Sequence, residues 1–226
     1  MTTRLRRLIK ARHSCRAFRA QPVANETIRE ILDTARFAPS GTNMQPWHVY
    51  VVGGTTRSKL VAALEAAFDD PERDAKYRAT YDYYPSVWSE PYLGRRRKVG
   101  WDLYSLLRIG KADKSAMHAQ HRRNMCFFDA PVGMFFTIDR GLGQGSWLDY
   151  GMFIQNVMLA AESAGLQTCP QAAFLQFHEL IGAQLRWPET QTLVCGMSVG
   201  YACPSAIENS LVTEREPVER FTRFFE

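Results

Sequence analysis

Long apolar runs are missing from this chain. No N-terminal hydrophobic segment is present, and no stretch approaches the roughly 20 residues that a membrane-spanning helix needs. The sequence therefore reads as a soluble, cytoplasmic protein with no membrane partner. Cysteine is scarce and unpatterned. Cys15, Cys126, Cys169, Cys195 and Cys203 are odd in number and scattered, with no Cys-x-x-Cys. That argues against a disulfide framework or zinc site and predicts reduced, mostly buried thiols. His-Glu-x-x-His is absent, and His118 and His121 lack the i, i+4 spacing of a metal pair, so they read as a solvated pair and no metal is expected. Clustered basic charge is confined to Arg95-Arg96-Arg97-Lys98. This reads as a solvated face, or as an entrance that attracts carboxylates, and not as a nucleic-acid surface. Internal repeats and low-complexity segments are also lacking.

What is present suffices for one large domain: 226 residues, 46% hydrophobic, net charge +5. The stretch Ala38–Val52 organises the rest. Pro39 and Pro46 bracket a turn and remove two backbone donors, and Gly41 allows a backbone that a side chain would oppose. Ser40, Thr42, Asn43 and Gln45 both donate and accept hydrogen bonds. Such a turn suits the polar edge of a neutral ligand, or it hydrogen-bonds itself.

Along the chain, Leu5, Leu8 and Ile9 give Thr3–Ala11 a helical stripe with a basic outer face. Asn25 is a candidate cap for a helix whose stripe is Ile28, Ile31, Leu32 and Ala35. Val49–Val52 reads as a strand and Arg57–Phe68 as a helix. Residues 72–125 lose periodicity but keep Tyr77, Tyr81, Tyr83, Tyr84, Trp88, Tyr92, Trp101 and Tyr104, which predicts a partly helical excursion forming a pocket wall or a dimer seam. Val132–Ile138 is a buried strand. Ser146 is a candidate cap for a helix from Trp147 to Ala164, which is apolar on nearly every side and so predicted to be central and buried. Leu166–Phe174 reads as extended, His178–Leu185 as a helix and Thr192–Val199 as a strand. Residues 201–226 form an arm ending in a helix with Val218, Phe221 and Phe225 on one side; it needs a docking surface.

Two other motifs compete. Gly196-x-Ser198-x-Gly200 matches a nucleophile elbow, but no helix follows and no histidine lies downstream, so small residues packing in a strand explain it better. Gly141-x-Gly143-x-Gly145 lies between a strand and a helix, the context of a dinucleotide-binding Rossmann turn, but Ser146 occupies the place of that fingerprint's third glycine.

Arg12-His13-Ser14-Cys15-Arg16 places two guanidiniums around a hydroxyl, which is phosphate-binding chemistry. Followed by a helix and then Pro-Ser-Gly-x-Asn-x-Gln-Pro-Trp, it resembles the FMN-dependent nitroreductase family, and the middle of the chain resembles its nitrobenzoate-reductase-like branch. The resemblance implies an α+β, three-layer fold: a central, mostly antiparallel sheet flanked by helices, in one FMN-binding domain spanning 1–226, built as a domain-swapped homodimer with a C-terminal arm. It implies FMN as cofactor, NAD(P)H as cosubstrate and ping-pong hydride reduction of a small nitroaromatic. Quinone or enone reduction, or flavin binding without catalysis, are the alternatives.

By that resemblance, Arg12, His13, Ser14, Cys15 and Arg16 form the first clamp on the cofactor. Arg16 lies at the pyrimidine edge, where it stabilises the reduced ring. Pro39, Ser40, Gly41 and Asn43, with Gln45 as a weaker candidate, come from the other subunit. Pro170, Gln171 and Ala172 run along the ring and offer a backbone N–H, although relatives often carry an acid and a glycine where this chain has Gln171-Ala172-Ala173. Arg215 is the late phosphate arginine, and Thr213 stands where a basic residue is common.

Overall fold

A computed structural model describes residues 3–226. The first two helices are α1 (Thr3–Ala11) and α2 (Asn25–Ala35). Strand β1 (His48–Val52) leads into α3 (Gly54–Asp69), and the excursion holds α4 (Arg73–Lys76), α5 (Tyr92–Leu106) and α6 (Lys114–Arg122). Strand β2 (Val132–Asp139), helix α7 (Gln144–Ser163) and strand β3 (Gln167–Gln171) follow, then α8 (His178–Leu185), β4 (Gln191–Gly200) and the single turn α9 (Val218–Phe221). The strands form one sheet in the order β1-β2-β4-β3, every neighbouring pair antiparallel.

Alternation along β2 builds three layers, because successive side chains of a strand point to opposite faces. Val132, Met134, Phe136 and Ile138 face one core, closed by Ile28 and Ile31 of α2 and by Tyr150, Phe153 and Val157 of α7. Phe135 faces the other core with Leu60 and Leu64 of α3, Ile181 of α8 and Phe174. All ten residues of β4 are buried, as expected of an interior strand covered on both sides. The fold is thus α+β with an antiparallel central sheet flanked by helices.

Several expectations are corrected. Neither predicted cap serves: Asn25 lies inside α2 behind Ala24, and Ser146 lies inside α7, which begins at Gln144 behind Gly143. Helix α7 is not buried all round; Tyr150, Phe153, Val157 and Ala161 face inward while Leu148 is 70% exposed. Gly41 does not carry the unusual backbone of its turn. Thr42, Asn43 and Gln45 do, with φ of 49°, 61° and 51°. The turn holds them there: Gly41 N–H donates to Asp149 Oδ2, and Gln45 N–H to Ser40 Oγ, both at 3.0 Å. The terminal helix stops at Phe221, and Phe225 lies beyond it. His118 and His121 are not merely solvated: they meet Asp69 at 3.1 Å and the Tyr104 hydroxyl at 3.0 Å.

Both competing motifs resolve into packing. The Ser198 hydroxyl is fully buried and donates to Gln171 Oε1 at 2.6 Å. Gly196 and Gly133 lie under the rings of Phe174 and Phe127, which a Cβ at either position would strike. With Phe135, these rings form a cluster with centroids 4.9–5.6 Å apart. As for the glycine run after β2, the strand that follows α7 does not pair with β2, because antiparallel β4 lies between them; among the described residues no two neighbouring strands of the sheet run parallel to cradle a dinucleotide.

Gly196→Ala should therefore lower the unfolding free energy by roughly 1–3 kcal/mol, since the added methyl has no room. Gly110→Ala, where nothing lies within 4 Å of the new Cβ, should not destabilise. Urea denaturation of the two variants checks this.

Candidate functional site

The segment after α1 is stitched to the free edge of the sheet. Ser14 bridges Thr168 of β3, and Cys15 N–H donates to the Thr168 carbonyl at 3.0 Å. Further on, Phe18 bridges Ala202, and Cys203 N–H donates to the Ala17 carbonyl at 2.9 Å. Asn209 braces the segment from outside. Its Oδ1 accepts from Arg16 N–H at 2.8 Å and from the Cys15 thiol at 3.4 Å, while its Nδ2 donates to the Ala17 and Cys203 carbonyls.

This stitching aims Arg16 into a cavity of ≈ 1020 Å³ that Pro170, Gln171 and Ala172 also line. Since the Thr168 carbonyl points off the sheet toward Cys15, alternation points the backbone groups of residues 170 and 172 the same way. Pro170 has no N–H to offer there. Gln171 is still extended, at φ −134° and ψ 108°, so the Ala172 N–H faces outward as that edge's donor. The Gln171 side chain turns inward. Its Nε2 donates to the Asn124 carbonyl at 3.0 Å and to Asn124 Oδ1 at 3.1 Å.

The far wall is the aromatic excursion. Tyr81, Tyr83, Tyr84, Trp101 and Tyr104 line the cavity, so these rings wall a pocket. Tyr81 is anchored by its hydroxyl, which donates to the Val194 carbonyl at 2.7 Å, and burial pushes its pKa up.

Nucleophilic chemistry is disfavoured. Burial pushes the Cys15 and Cys169 thiols up to about 11, against a smaller downward pull from Arg16, so both stay protonated at neutral pH. What remains is a guanidinium, an outward N–H and aromatic walls. That donor set fits a flat, electron-accepting heteroaromatic group that gains negative charge, and FMN has this character.

The other expected residues do not line this cavity within one chain. Arg12 follows α1, its N–H donating to the Leu8 carbonyl, and His13 Nδ1 lies 3.1 Å from the Ala11 carbonyl. Pro39, Ser40, Gly41, Asn43 and Gln45 belong to the turn packed on Asp149; Gly41 lines a separate cavity of ≈ 430 Å³ with Gly141–Gly143 and Leu148. The hydroxyls of Ser40 and Thr42 and the amide of Gln45 bond within the turn, which is the self-bonding alternative. The Arg215 guanidinium bonds Thr213 and the Glu214 carbonyl. A single copy therefore brings Arg16 together with Pro170–Ala172 and leaves the turn and Arg215 apart. Asn124, Gln120 and His121 also line the cavity and were not anticipated; their segment showed only fading periodicity. Among the described residues there is no cluster suited to a metal ion.

Cys203 contrasts with the buried thiols. Hydrogen bonds from the Ser205 hydroxyl and backbone, and then Arg19, hold its pKa below the usual thiol value. Iodoacetamide at pH 8 should modify Cys203 first and leave Cys15, Cys169 and Cys195 unlabelled in the folded protein. Mass spectrometry of peptides checks this, and labelling of Cys15 at the Cys203 rate would contradict it.

Comparison with known proteins places the chain in a family. The pattern of the nitroreductase family matches residues 9–201. The chain is 42% identical to a 4-nitrobenzoate reductase of Pseudomonas putida, over 96% of this chain and 93% of that protein. It is 38% identical to a nitrobenzene nitroreductase of Ectopseudomonas oleovorans, over 96% and 95%. Its fold superposes with a TM-score of 0.92 on the FMN-dependent nitroreductase NfnB of Mycobacterium smegmatis, solved in complex with NADPH, at 31% identity over 98% of each chain. The chain belongs to the nitroreductase family.

Proposed function

We propose that this chain is an FMN-dependent oxidoreductase that uses NAD(P)H to reduce nitroaromatic compounds. The observation that carries the reading is the meeting of Arg16 and the outward edge at Pro170–Ala172 in one aromatic-walled cavity. The relatives named above add to it, since their names specify nitroaromatic reduction and, for NfnB, FMN and NADPH.

When bound, FMN supplies the hydride chemistry, two electrons in from NAD(P)H and two out to a nitro group. The protein's part is electrostatic and positional. Arg16 offers fixed positive charge to the pyrimidine edge, where negative charge gathers on reduction. Its aim is set by the Asn209 bond to its own N–H and by its Nη1 donating to the Ser14 carbonyl at 3.2 Å. The Ala172 N–H gives the ring a donor that needs no side chain. Arg12 and Ser14 hold phosphate and ribityl groups, with His13 and Cys15 supplying backbone between them.

The remaining contacts come from a second copy. In this reading Pro39, Ser40, Gly41 and Asn43 would help hold the partner's FMN, and Arg215 would serve its phosphate. Apolar surface left open on one copy supports a homodimer: Leu5 and Ile9 on α1, Leu148 on α7, and Phe221, Phe224 and Phe225 on the arm are all exposed. No described helix is long and apolar enough to cross a membrane. All five cysteines are free thiols, which fits a reducing compartment, the cytoplasm.

Purified protein should be yellow, bleach under anaerobic NADH or NADPH, and regain colour with a nitroaromatic. A colourless protein that takes up no FMN contradicts the reading; recolouring by quinones alone would mark a quinone reductase. Arg16→Ala should bind FMN more weakly and lower the flavin's two-electron potential by about 30 mV or more, equivalent to ~1.4 kcal/mol. Potentiometry against reference dyes measures the shift, and an unchanged potential in FMN-loaded variant protein would remove Arg16 from the role.

A further inference from the structure

Helix α5 has two basic faces with different partners. On one, Arg95 pairs with Glu216 at 2.8 Å, and Lys98 pairs with Asp102 at 2.7 Å and Glu214 at 3.4 Å. Those charges fasten the C-terminal arm. On the other face Arg96 and Arg97 sit on the stripe that continues through Gly100 and Tyr104, and this stripe lines the cavity. Among the described residues neither arginine has a carboxylate within 4 Å. Arg96 is not loose, however. Its guanidinium carbon lies 4.7 Å from the Trp88 ring centroid and 5.9 Å from that of Tyr84, and the two rings are themselves 5.4 Å apart.

The charge of the cavity is one-sided. Arg16, Arg96 and Arg97 line it against one carboxylate, Asp82. His121 adds no charge at neutral pH, because burial lowers its pKa. A planar guanidinium fork matches a carboxylate in two-point contact, and Tyr83, Tyr84 and Trp101 offer faces to an aromatic body.

We propose that Arg96, steadied by Trp88 and Tyr84 and assisted by Arg97, forms a carboxylate subsite in the α5 wall, making aromatic acids the preferred class of nitro substrate over neutral nitroaromatics. This rests on the nitroreductase reading and narrows it. Arg16 is assigned to the flavin and Arg96 to the substrate's acid group. The α5 wall and the Pro170–Ala172 edge, which line one cavity, thus divide it between an anion-binding end and a reacting end.

The test compares 4-nitrobenzoate with its methyl ester, which differ in charge. For FMN-loaded enzyme the ratio of kcat/KM values, acid over ester, should fall about tenfold in Arg96→Gln, the equivalent of about 1.4 kcal/mol. It should be unaltered in Arg95→Gln, whose charge faces the arm. Calorimetric binding of benzoate, which cannot be reduced, should weaken by a similar factor in Arg96→Gln alone. An unchanged ratio, or an equal fall in both variants, overturns the subsite. So does a defect confined to flavin reduction by NADPH and absent with NADH, which would give Arg96 to the cosubstrate's phosphate. Arg96-dependent benzoate binding in a protein that reduces no nitro compound would leave the subsite standing and remove the reductase reading.

Discussion

One backbone hydrogen bond, from Cys15 N–H to the Thr168 carbonyl, fixes the geometry on which the site depends. It lays the basic segment along the outward groups of β3 and so places Arg16 beside Pro170–Ala172. Asn209 holds the segment from the other side through both ends of its amide. A loop tied on both flanks keeps a guanidinium in place without spending that guanidinium on an internal ion pair, so its charge remains available to a ligand. Burial of the Cys15 and Cys169 thiols beside it keeps the same region free of competing anions.

The sheet supplies the rigid base for this arrangement. Its interior strand β4 is buried along its whole length and contacts both layers of helices. The glycines at 133 and 196 let three phenylalanine rings lie directly on the strands, so the layer beneath β3 is a dense aromatic bed. Rigidity under an edge that lines a cavity matters, since sites carried on strands hold their geometry better than sites on loops.

Much of this was legible in the sequence, and the exceptions have physical causes. Periodicity located α1, α2, α8 and the strands within a few residues, because Ile28, Ile31 and Ala35, or the apolar run Val132–Ile138, have no stable alternative to burial. Capping residues misled: Asn25 and Ser146 are good caps by type, but their helices begin earlier, behind Ala24 and Gly143. The turn at Gly41–Asn43 misled for a related reason. Asp149, more than a hundred residues away, holds side-chain-bearing residues at positive φ, and no local pattern reports a distant carboxylate. Among the residues lining the cavity, Arg16 and Pro170–Ala172 were expected from the family resemblance, whereas Asn124 and His121 sat in a segment whose pattern carries little signal. The arm was recognised as unpartnered, but its anchoring to α5 through Glu214 and Glu216 depends on pairings between segments far apart in sequence.

Pro170 has an effect beyond the cavity. β3 is a terminal strand of the sheet, and such strands invite another chain to add itself in register. A proline at the middle of the outward-facing row removes the donor that an incoming strand would require, while Ser14 and Cys15 already cover the row's beginning. The same residue that lines the cavity without offering it an N–H thereby guards the strand against edge-to-edge self-association.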